Sequence, residues 1–344
     1  MTAQTVTKPS AAPAPSAGAQ TPKRRRLVWS SMAKRVIRAL LVIFLVTIAS
    51  LSLLDLAPGS AADAMLGEDA TPETVAALNA ELGLDDPLWQ RYGDWLGGAV
   101  QGDLGTSPIS RVPVSEAIVD RLPVTLEIAV LALLMALVLS VILAVAAASL
   151  PGSLLDRGIA GITSVLLAVP AFVAGPILIY FLAVQSGYFP VSGWTQLGDG
   201  LGENLRGAFL PAFAVALTEI AVFTRLLQSD LVGTLREDYV AAARAKGMTR
   251  AYVMFRHALR PSSFSLITVA GISLGRLIGG TVVVETLFGL PGLGQLVSTA
   301  IFGRDIITVQ GIVVFVAVVY VGANTLVDIS YGLLDPRVRK AERG

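Results

Sequence analysis

The stretch IAVLALLMALVLSVILAVAAASL, residues 128–150, contains no Asp, Glu, Lys or Arg. An uncharged apolar run of more than about 18 residues is typical of a helix that crosses a lipid bilayer. The stretches 158–186 and 306–327 also lack these four residue types. Hydrophobic residues make up 54% of the chain and charged residues only 15%, a balance too apolar for an ordinary soluble domain. Because only a helix satisfies its own backbone groups in lipid, the sequence predicts an all-α polytopic membrane protein.

Three weaker apolar stretches bring the predicted number of transmembrane helices to six. They cover residues 39–54, 207–224 and 261–284, and the last two carry Glu219 and Arg276. A charge inside a membrane span is costly and is often functional. Glu219, Arg276 and the nearby Glu285 are therefore candidates for a translocation pathway. The alternatives are a buried ion pair for Glu219 and Arg276, and a position at the membrane interface for Glu285.

The distribution of Lys and Arg predicts the orientation of these helices. The connection 58–121 holds three basic residues against eleven acidic ones, whereas 225–260 holds seven basic residues. The segments before the first span and after the last span are also rich in Lys and Arg. Because cytoplasmic loops carry the excess of positive charge, we expect both termini in the cytoplasm and 58–121 outside. The chain is thus predicted to be a multi-pass protein of the cell inner (plasma) membrane.

The predicted organisation has five parts. Residues 1–31 form a disordered cytoplasmic extension, 32–57 a first transmembrane helix, and 58–121 a small extracytoplasmic helical region. A core of five transmembrane helices covers 122–335 and includes a cytoplasmic helix-turn-helix at 237–261. A cytoplasmic tail, 336–344, ends the chain. A cleaved secretory signal at 39–56 is the alternative for the first span, but its basic region would be about 38 residues, which is long for a signal.

Local patterns add detail outside and within the spans. Thr71-Pro72-Glu73 is typical of a helix start, and an aromatic stripe that begins at Trp89 predicts a second external helix. These helices form a packed cap, a docking surface for an external partner, or both. Pro170 and Pro176 predict a kink in the third span or a break that lines a pathway. Glycines at 271, 275 and 279 share one helix face and predict close contact with a helix of this chain or another chain.

Several kinds of chemistry are absent from the sequence. The chain has no Cys, a single His, and no GxxxxGK[ST] phosphate-binding loop. His257 lies among Arg residues and has no Cys with which to form a zinc site. We therefore expect no catalytic residue, no metal site and no cofactor bound by this chain, and no nucleic-acid partner.

Residues 239–261, YVAAARAKGMTRAYVMFRHALRP, predict two short helices joined by a turn. Asp238 and Tyr239 begin the first helix, and Gly247 suits the left-handed position that follows its end. Thr249 is expected to cap the second helix, which Pro261 is expected to close. An apolar ridge on such an element fits a groove on a partner protein, and the alternative is a basic amphipathic element that rests on lipid.

At this point the chain resembles the inner-membrane permeases of ABC importers, and in particular their dipeptide and oligopeptide branch. The stretch Ala241-Ala242-Ala243-x-x-x-Gly247 is similar to the coupling loop of that family. The likeness extends over about residues 32–340 through four further motifs. These are 82–105, Arg121-Leu-Pro123-x-Thr125-Leu-Glu127, Glu285-x-x-Phe288-x-x-Pro291-Gly-x-Gly294 and Tyr331…Asp335-Pro336-Arg337. Ala241 stands where the general motif has Glu, and His257 and Arg260 also depart from it.

The resemblance implies a permease of an ATP-driven importer of peptides or similar small solutes. Its partners would be a second homologous permease, two ATP-binding subunits that use ATP and Mg²⁺, an extracytoplasmic binding protein and the lipid bilayer. The residues implied for ATPase coupling are Tyr239, Ala241, Ala242, Ala243, Arg244, Lys246 and Gly247. The alternative is an ion-coupled secondary transporter that uses Glu219 as a titratable group, although no internal repeat supports it.

Overall fold

The computed structural model describes residues 37, 40–52 and 61–334. The chain divides into two compact units, Met1–Val42 and Ile43–Gly344, and the second contains nearly all of the described residues. The predicted disordered extension, the predicted tail and Asp335-Pro336-Arg337 lie outside the described residues. The described part consists of helices and the loops between them, with one isolated bridge between Thr106 and Pro113, which agrees with the predicted all-α class.

Fourteen helices run through the described residues in chain order. They are α1 (Leu40–Ser52), α2 (Ala61–Leu66), α3 (Pro72–Glu81), α4 (Leu88–Val100), α5 (Val114–Ser149), α6 (Leu154–Ala168), α7 (Ala171–Leu178), α8 (Leu201–Thr234), α9 (Asp238–Ala245), α10 (Arg250–Tyr252), α11 (Arg260–Gly280), α12 (Val282–Phe288), α13 (Leu293–Phe302) and α14 (Ile306–Leu334). π-Helical turns at Ile179–Gln185 and Val253–Leu259 extend α7 and join α10 to α11.

Four helices in the described part are long and apolar enough to cross a membrane. They are α5, α8, the continuous helix Arg250–Gly280 and α14, and they contain four of the six predicted spans. Two bent pairs, α6 with α7 and α12 with α13, pass the same test only when each pair is taken as one span. The described part of the first predicted span, α1, is a shorter apolar helix. The chain is therefore a polytopic membrane protein with four to six spans by length and composition.

The third predicted span is broken at Pro170, so a break is confirmed, while its role in lining a pathway stays a prediction. Val169 and Pro170 both have extended backbones. For Val169 the reason is that a residue that precedes proline is disfavoured in the helical region. The helix axes on the two sides of this break differ by 105°. Pro176 lies inside α7 and does not end it.

The centre of the fold is the contact between α5 and α8. Small side chains line it, and since alanine adds only one carbon beyond the backbone, the two helices approach closely. Larger buried side chains, among them Phe223 and Leu227 of α8, complete the cluster. The fully buried alanines of these two helices are Ala129, Ala132, Ala136, Ala144 and Ala147 on α5 and Ala208, Ala212, Ala214, Ala216 and Ala221 on α8.

The glycine face of α11 packs against α14 of the same chain. A Cβ atom at Gly275 would lie 3.1 Å from the Cβ of Ala323, and one at Gly279 would lie 3.4 Å from Cγ1 of Val316. The absence of side chains on this face therefore sets the distance between the two helices. The prediction of close helix contact is confirmed for these two glycines, and the neighbour belongs to this chain.

The helices before α5 are fastened by polar side chains. Thr71 caps α3 in a reciprocal capping box with Thr74, as the sequence predicts. The hydroxyl of Tyr92 on α4 lies 2.7 Å from Oγ1 of Thr47 on α1, and the ring of Phe44 contacts Tyr92 edge-on. Among the helices of the 58–121 segment, α4 thus packs on α1 through Tyr92.

We expect the replacement of Gly275 by Leu to destabilise the protein, because the new side chain would overlap Ala323 and Tyr320. Overpacking of this kind costs about 1–3 kcal/mol. The matched control is Gly280→Leu on the same helix, where a Cβ meets nothing within 4 Å. Thermal unfolding in detergent, followed by tryptophan fluorescence, compares the two variants. Equal losses of stability would contradict the assigned helix contact.

Candidate functional site

The segment that follows α8 forms the predicted turn between two helices. α9 ends at Ala245, and Gly247 then adopts a left-handed backbone with φ +78°, which glycine adopts without strain. The amide of Gly247 donates to the carbonyl of Arg244 at 2.9 Å, and the amide of Met248 donates to the carbonyl of Ala243. The side chain of Thr249 accepts from the amide of Tyr252, so the predicted N-cap is confirmed.

Three buried side chains hold α9 against the helix that follows it. Val240 and Ala243 of α9 pack with Val253, and Leu235 covers this small cluster. The hydroxyl of Tyr239 donates to the carbonyl of His257 at 3.2 Å. These contacts make 235–259 one compact element, which we call the α9 element.

The seven residues predicted for coupling divide into two groups in the structure. Ala243 is buried and belongs to the internal packing of the α9 element. The other six are exposed, and exposed apolar side chains at Met248, Tyr252 and Phe255 extend their surface. These six are Tyr239, Ala241, Ala242, Arg244, Lys246 and Gly247.

One prediction about this element is wrong. Pro261 does not close the second helix, because Arg250–Gly280 is a single continuous helix of 31 residues. Proline disturbs a helix through its ring and its missing amide. Here the residues that precede it form the π-helical turn Val253–Leu259, whose wider winding accommodates the ring at the first turn of α11. The α9 element is thus joined rigidly to a membrane span.

Two of the three charged candidates in the membrane region form an ion pair. Nη2 of Arg276 lies 2.6 Å from Oε1 of Glu219, and the hydroxyl of Ser273 donates to the other carboxylate oxygen at 2.9 Å. The glutamate side chain is 5% exposed, whereas the arginine side chain is 58% exposed. The predicted ion pair between Glu219 and Arg276 is therefore present, with the glutamate buried and more than half of the arginine side chain exposed.

The third candidate, Glu285, has different surroundings. It is fully buried, and its carboxylate accepts from the hydroxyl of Thr281 and from the amide of Gly294, each at 2.7 Å. These bonds close the hairpin formed by α12 and α13, whose axes differ by 85°. A Cβ at Gly292 or at Gly294 would collide with the Glu285 carboxylate or with the backbone of Val282. The spacing of the 285–294 motif is therefore explained by this hairpin, which we call the Glu285 hairpin.

Two sequence motifs that lie far apart along the chain meet at the Glu285 hairpin. The amide of Leu293 donates to Oγ1 of the fully buried Thr125 at 2.8 Å. The guanidinium of Arg121 reaches Oε1 of Gln295 at 3.5 Å. The motifs 121–127 and 285–294 thus form one junction, and nothing in their separate patterns indicates that they touch.

The motif at 102–105, and Ser107 just after it, contact the start of α14. Asp305 is buried and accepts from the hydroxyls of Ser107, at 2.5 Å, and Thr308, at 2.7 Å. A Cβ at Gly105 would lie 2.8 Å from Cγ2 of Ile307. The segment before α5 therefore packs against the beginning of the last span.

Comparison with known proteins places this architecture in a family of membrane permeases. The family model described as the binding-protein-dependent transport system inner membrane component matches residues 136–340. The model described as the N-terminal part of that membrane component matches residues 28–129. The chain belongs to this family of inner-membrane permease subunits of ABC transporters, in which separate subunits hydrolyse ATP.

Individual relatives cover nearly the whole chain. A peptide transport system permease protein of Brucella melitensis is 39% identical over 91% of this chain and 99% of its own length. The di/tripeptide transport system permease protein DppB of Pseudomonas aeruginosa is 37% identical over 90% of this chain and 98% of its own length. Among solved structures, an amino acid ABC transporter is 17% identical to this chain with a TM-score of 0.46. The alignment covers 65% of this chain and 94% of the chain in that structure.

We expect Thr125→Val to destabilise the Glu285 hairpin, because valine keeps the shape of threonine and removes the acceptor for the Leu293 amide. A buried donor left without a partner costs about 1–3 kcal/mol. Thr286→Val is the matched control, since its exposed hydroxyl bonds only to the carbonyl of Val282. Thermal unfolding and limited proteolysis within 289–294 measure the effect. Unchanged protease resistance in Thr125→Val would contradict the bracing role of Thr125.

Proposed function

We propose that this chain is the membrane-spanning permease subunit of an ATP-driven importer that translocates peptides. The names of the compared relatives, which refer to peptides and to di- and tripeptides, support the substrate class. The external solute-binding protein would deliver the peptide, and a second homologous permease would complete the translocation pathway. Two partner ATPase subunits would bind ATP and Mg²⁺.

The proposed topology has six spans with both termini in the cytoplasm. The spans are α1, α5, the bent pair α6–α7, α8, Arg250–Gly280 and α14. The Glu285 hairpin then enters and leaves the membrane region on the outer side. Contact between Gly311 near the start of α14 and Val114 at the start of α5 supports this assignment, because it puts those two helix starts at the same end. The Lys and Arg excess in 225–260 favours the cytoplasm for the opposite end.

The observation that carries the mechanism is the continuity of Arg250–Gly280. The exposed residues of the α9 element would dock in a groove on the ATPase subunit, with Tyr239, Tyr252 and Phe255 as aromatic anchors. Because its second helix continues without a break into the span that carries Arg276, a displacement of the docked element moves that span directly. ATP binding that closes the ATPase pair would thereby switch access from one side of the membrane to the other.

The charged candidates take separate roles in this proposal. The exposed face of Arg276 is directed to the pathway or to the second permease, since a guanidinium in contact with lipid would be costly. Glu219 holds that guanidinium in place. Glu285 acts through the hairpin and does not contact the solute.

Replacement of Gly247 by Pro is expected to abolish ATP-driven peptide uptake while the protein still inserts in the membrane. Proline fixes φ near −65° and cannot adopt the left-handed backbone of this position, so the turn of the α9 element is lost. Gly247→Asn is the matched variant, because asparagine tolerates a left-handed backbone. Uptake by the complete transporter reconstituted in liposomes is the measurement.

The two variants separate coupling from assembly. Gly247→Asn should keep most of the uptake and should purify with all partner subunits. Gly247→Pro should still purify with the second permease, whether or not it keeps the ATPase subunits. Normal uptake with Gly247→Pro would sink the assignment of the α9 element as the coupling site.

The proposed importer and the ion-coupled alternative differ in their source of energy. For the importer, peptide uptake into liposomes should require ATP and should be unchanged by a protonophore or by removal of the sodium gradient. The bonding of Glu219 to Arg276 and Ser273 supports this expectation, because a structural ion pair accounts for Glu219 without a titratable pathway. Uptake that collapses with the proton or sodium gradient in the presence of ATP would favour the secondary transporter.

A further inference from the structure

A cavity of about 550 Å³ lies beside the junction of the two motifs. Its walls come from the first part of α5, from the segment between α7 and α8, and from the turn of the Glu285 hairpin. This volume falls within the range of small-molecule binding pockets, about 300–1,000 Å³. The lining includes Asp120, Arg121, Glu127, Trp194, Gln196 and Pro291.

The wall of the cavity contains a hydrogen-bond acceptor that lacks a donor. Oε1 of Glu127 is buried and has no hydrogen-bond partner among the described residues. Asn204, which is fully buried and is not part of the lining, hydrogen-bonds the Glu127 carboxylate. Its Nδ2 also donates to the carbonyl of Thr195 at 2.8 Å, so Asn204 holds the carboxylate in place from behind the wall. Buried polar atoms are normally paired, so the unpaired oxygen of Glu127 points to a ligand that brings a donor.

The charges of the cavity favour a cation. The lining contains two carboxylates, on Asp120 and Glu127, and one guanidinium, on Arg121. That guanidinium is directed to the side-chain oxygen of Gln295. The ring of Trp194 offers a further surface that attracts positive charge. A ligand carboxylate would meet two like charges, whereas an ammonium group would meet two opposite charges and the unpaired oxygen of Glu127.

The cavity is also held in shape before any ligand arrives. Thr125 precedes Glu127 by two residues and bonds the backbone of the Glu285 hairpin through Leu293. Pro291, which forms one wall, belongs to the turn of the same hairpin. The position of Glu127 relative to the opposite wall is therefore fixed by a buried hydrogen bond, which lowers the cost of binding.

We propose that this cavity binds the primary ammonium group of a peptide on its way through the permease, with the carboxylate of Glu127 as the main acceptor. A primary ammonium carries three donors and a unit charge, which match the unpaired oxygen of Glu127 and the excess of carboxylates in the lining. The proposal rests on the peptide-importer function for its ligand. With the proposed topology the cavity opens at the outer end of the bundle, where a peptide would arrive from the binding protein.

The absence of cysteine in this chain allows a direct test that does not depend on ATP-driven uptake. A single reporter, Gln196→Cys, is placed in the cavity wall of the complete transporter purified in detergent. The transporter with the cysteine-free chain gives the background from partner subunits. The rates of modification by a cationic aminoethyl and an anionic sulfonatoethyl methanethiosulfonate are compared. We expect the cationic reagent to react at least about tenfold faster, since a cleft of one sign concentrates counter-ions.

Glu127→Gln in the reporter chain should lower the ratio of the two rates several-fold, toward the ratio that the same reagents show with a small thiol in solution. Glu116→Gln, an exposed carboxylate on the same helix outside the cavity, should leave the ratio unchanged. A ratio that is insensitive to Glu127→Gln would overturn the assignment of that residue. Leu197→Cys serves as a second reporter in the same wall if the first variant does not assemble.

Protection from modification then tests the ligand. A dipeptide with a free amino terminus should slow the modification of the reporter, and its N-acetylated form should not. An N-acetylated dipeptide that contains lysine shows whether the site accepts any primary ammonium or the amino terminus alone. Equal protection by free and acetylated dipeptides, or no protection by either, would overturn the proposal that the cavity binds a primary ammonium group. If the cavity passes these tests but no ATP-driven uptake of peptide is found, the proposed importer function fails and the ammonium site stands.

Discussion

Every backbone amide and carbonyl in the hydrocarbon region must find its partner within the protein, because lipid supplies none. This constraint accounts for the helical fold and also for the places where the helices stop. At Pro170 and in the turn 289–292 the regular hydrogen bonding is interrupted. In the second case the protein replaces it with side-chain acceptors: Thr125 takes the amide of Leu293, and Glu285 takes the amide of Gly294. The junction of the two motifs is thus the local solution to a general problem of membrane proteins.

The sequence alone predicts the features that depend on a few neighbouring residues. Uncharged runs predicted α5, the bent pair α6–α7 and α14, and the residue preferences of helix ends predicted the roles of Thr71, Gly247 and Thr249. These rules act over a few neighbouring residues, so they are visible in one sequence. The bend of 105° at Pro170 was visible only as a proline, because its angle depends on how α6 and α7 pack against α8.

The features that escaped prediction depend on contacts between distant residues. The sequence indicates only that Glu285 is a charge in or near a span. Its hydrogen-bond partners depend on the folding of the Glu285 hairpin, whose two short helices are apolar enough to count as one span only when taken together. The acceptor role of Thr125 requires a residue that lies far along the chain. Pro261 was expected to end a helix by a local rule, and the π-helical turn before it removes the reason for that rule. For the same reason the sequence does not indicate which helix contacts the Gly275 face, since a stripe of small residues predicts a close contact but not the helix that makes it.

The continuous helix Arg250–Gly280 has a mechanical consequence. At about 1.5 Å per residue its 31 residues form a rod of roughly 46 Å, longer than the hydrocarbon core of about 30 Å. One close approach to α14 lies at Gly275, near the far end of this rod. If the rod tilts about that contact, the arm on the α9 side is several times longer than the arm beyond it. A displacement applied at the α9 element would then reach the Gly280 end reduced in distance and increased in force. Such a lever would exchange a large, weak movement of the α9 element for a small, strong one beside the Glu285 hairpin.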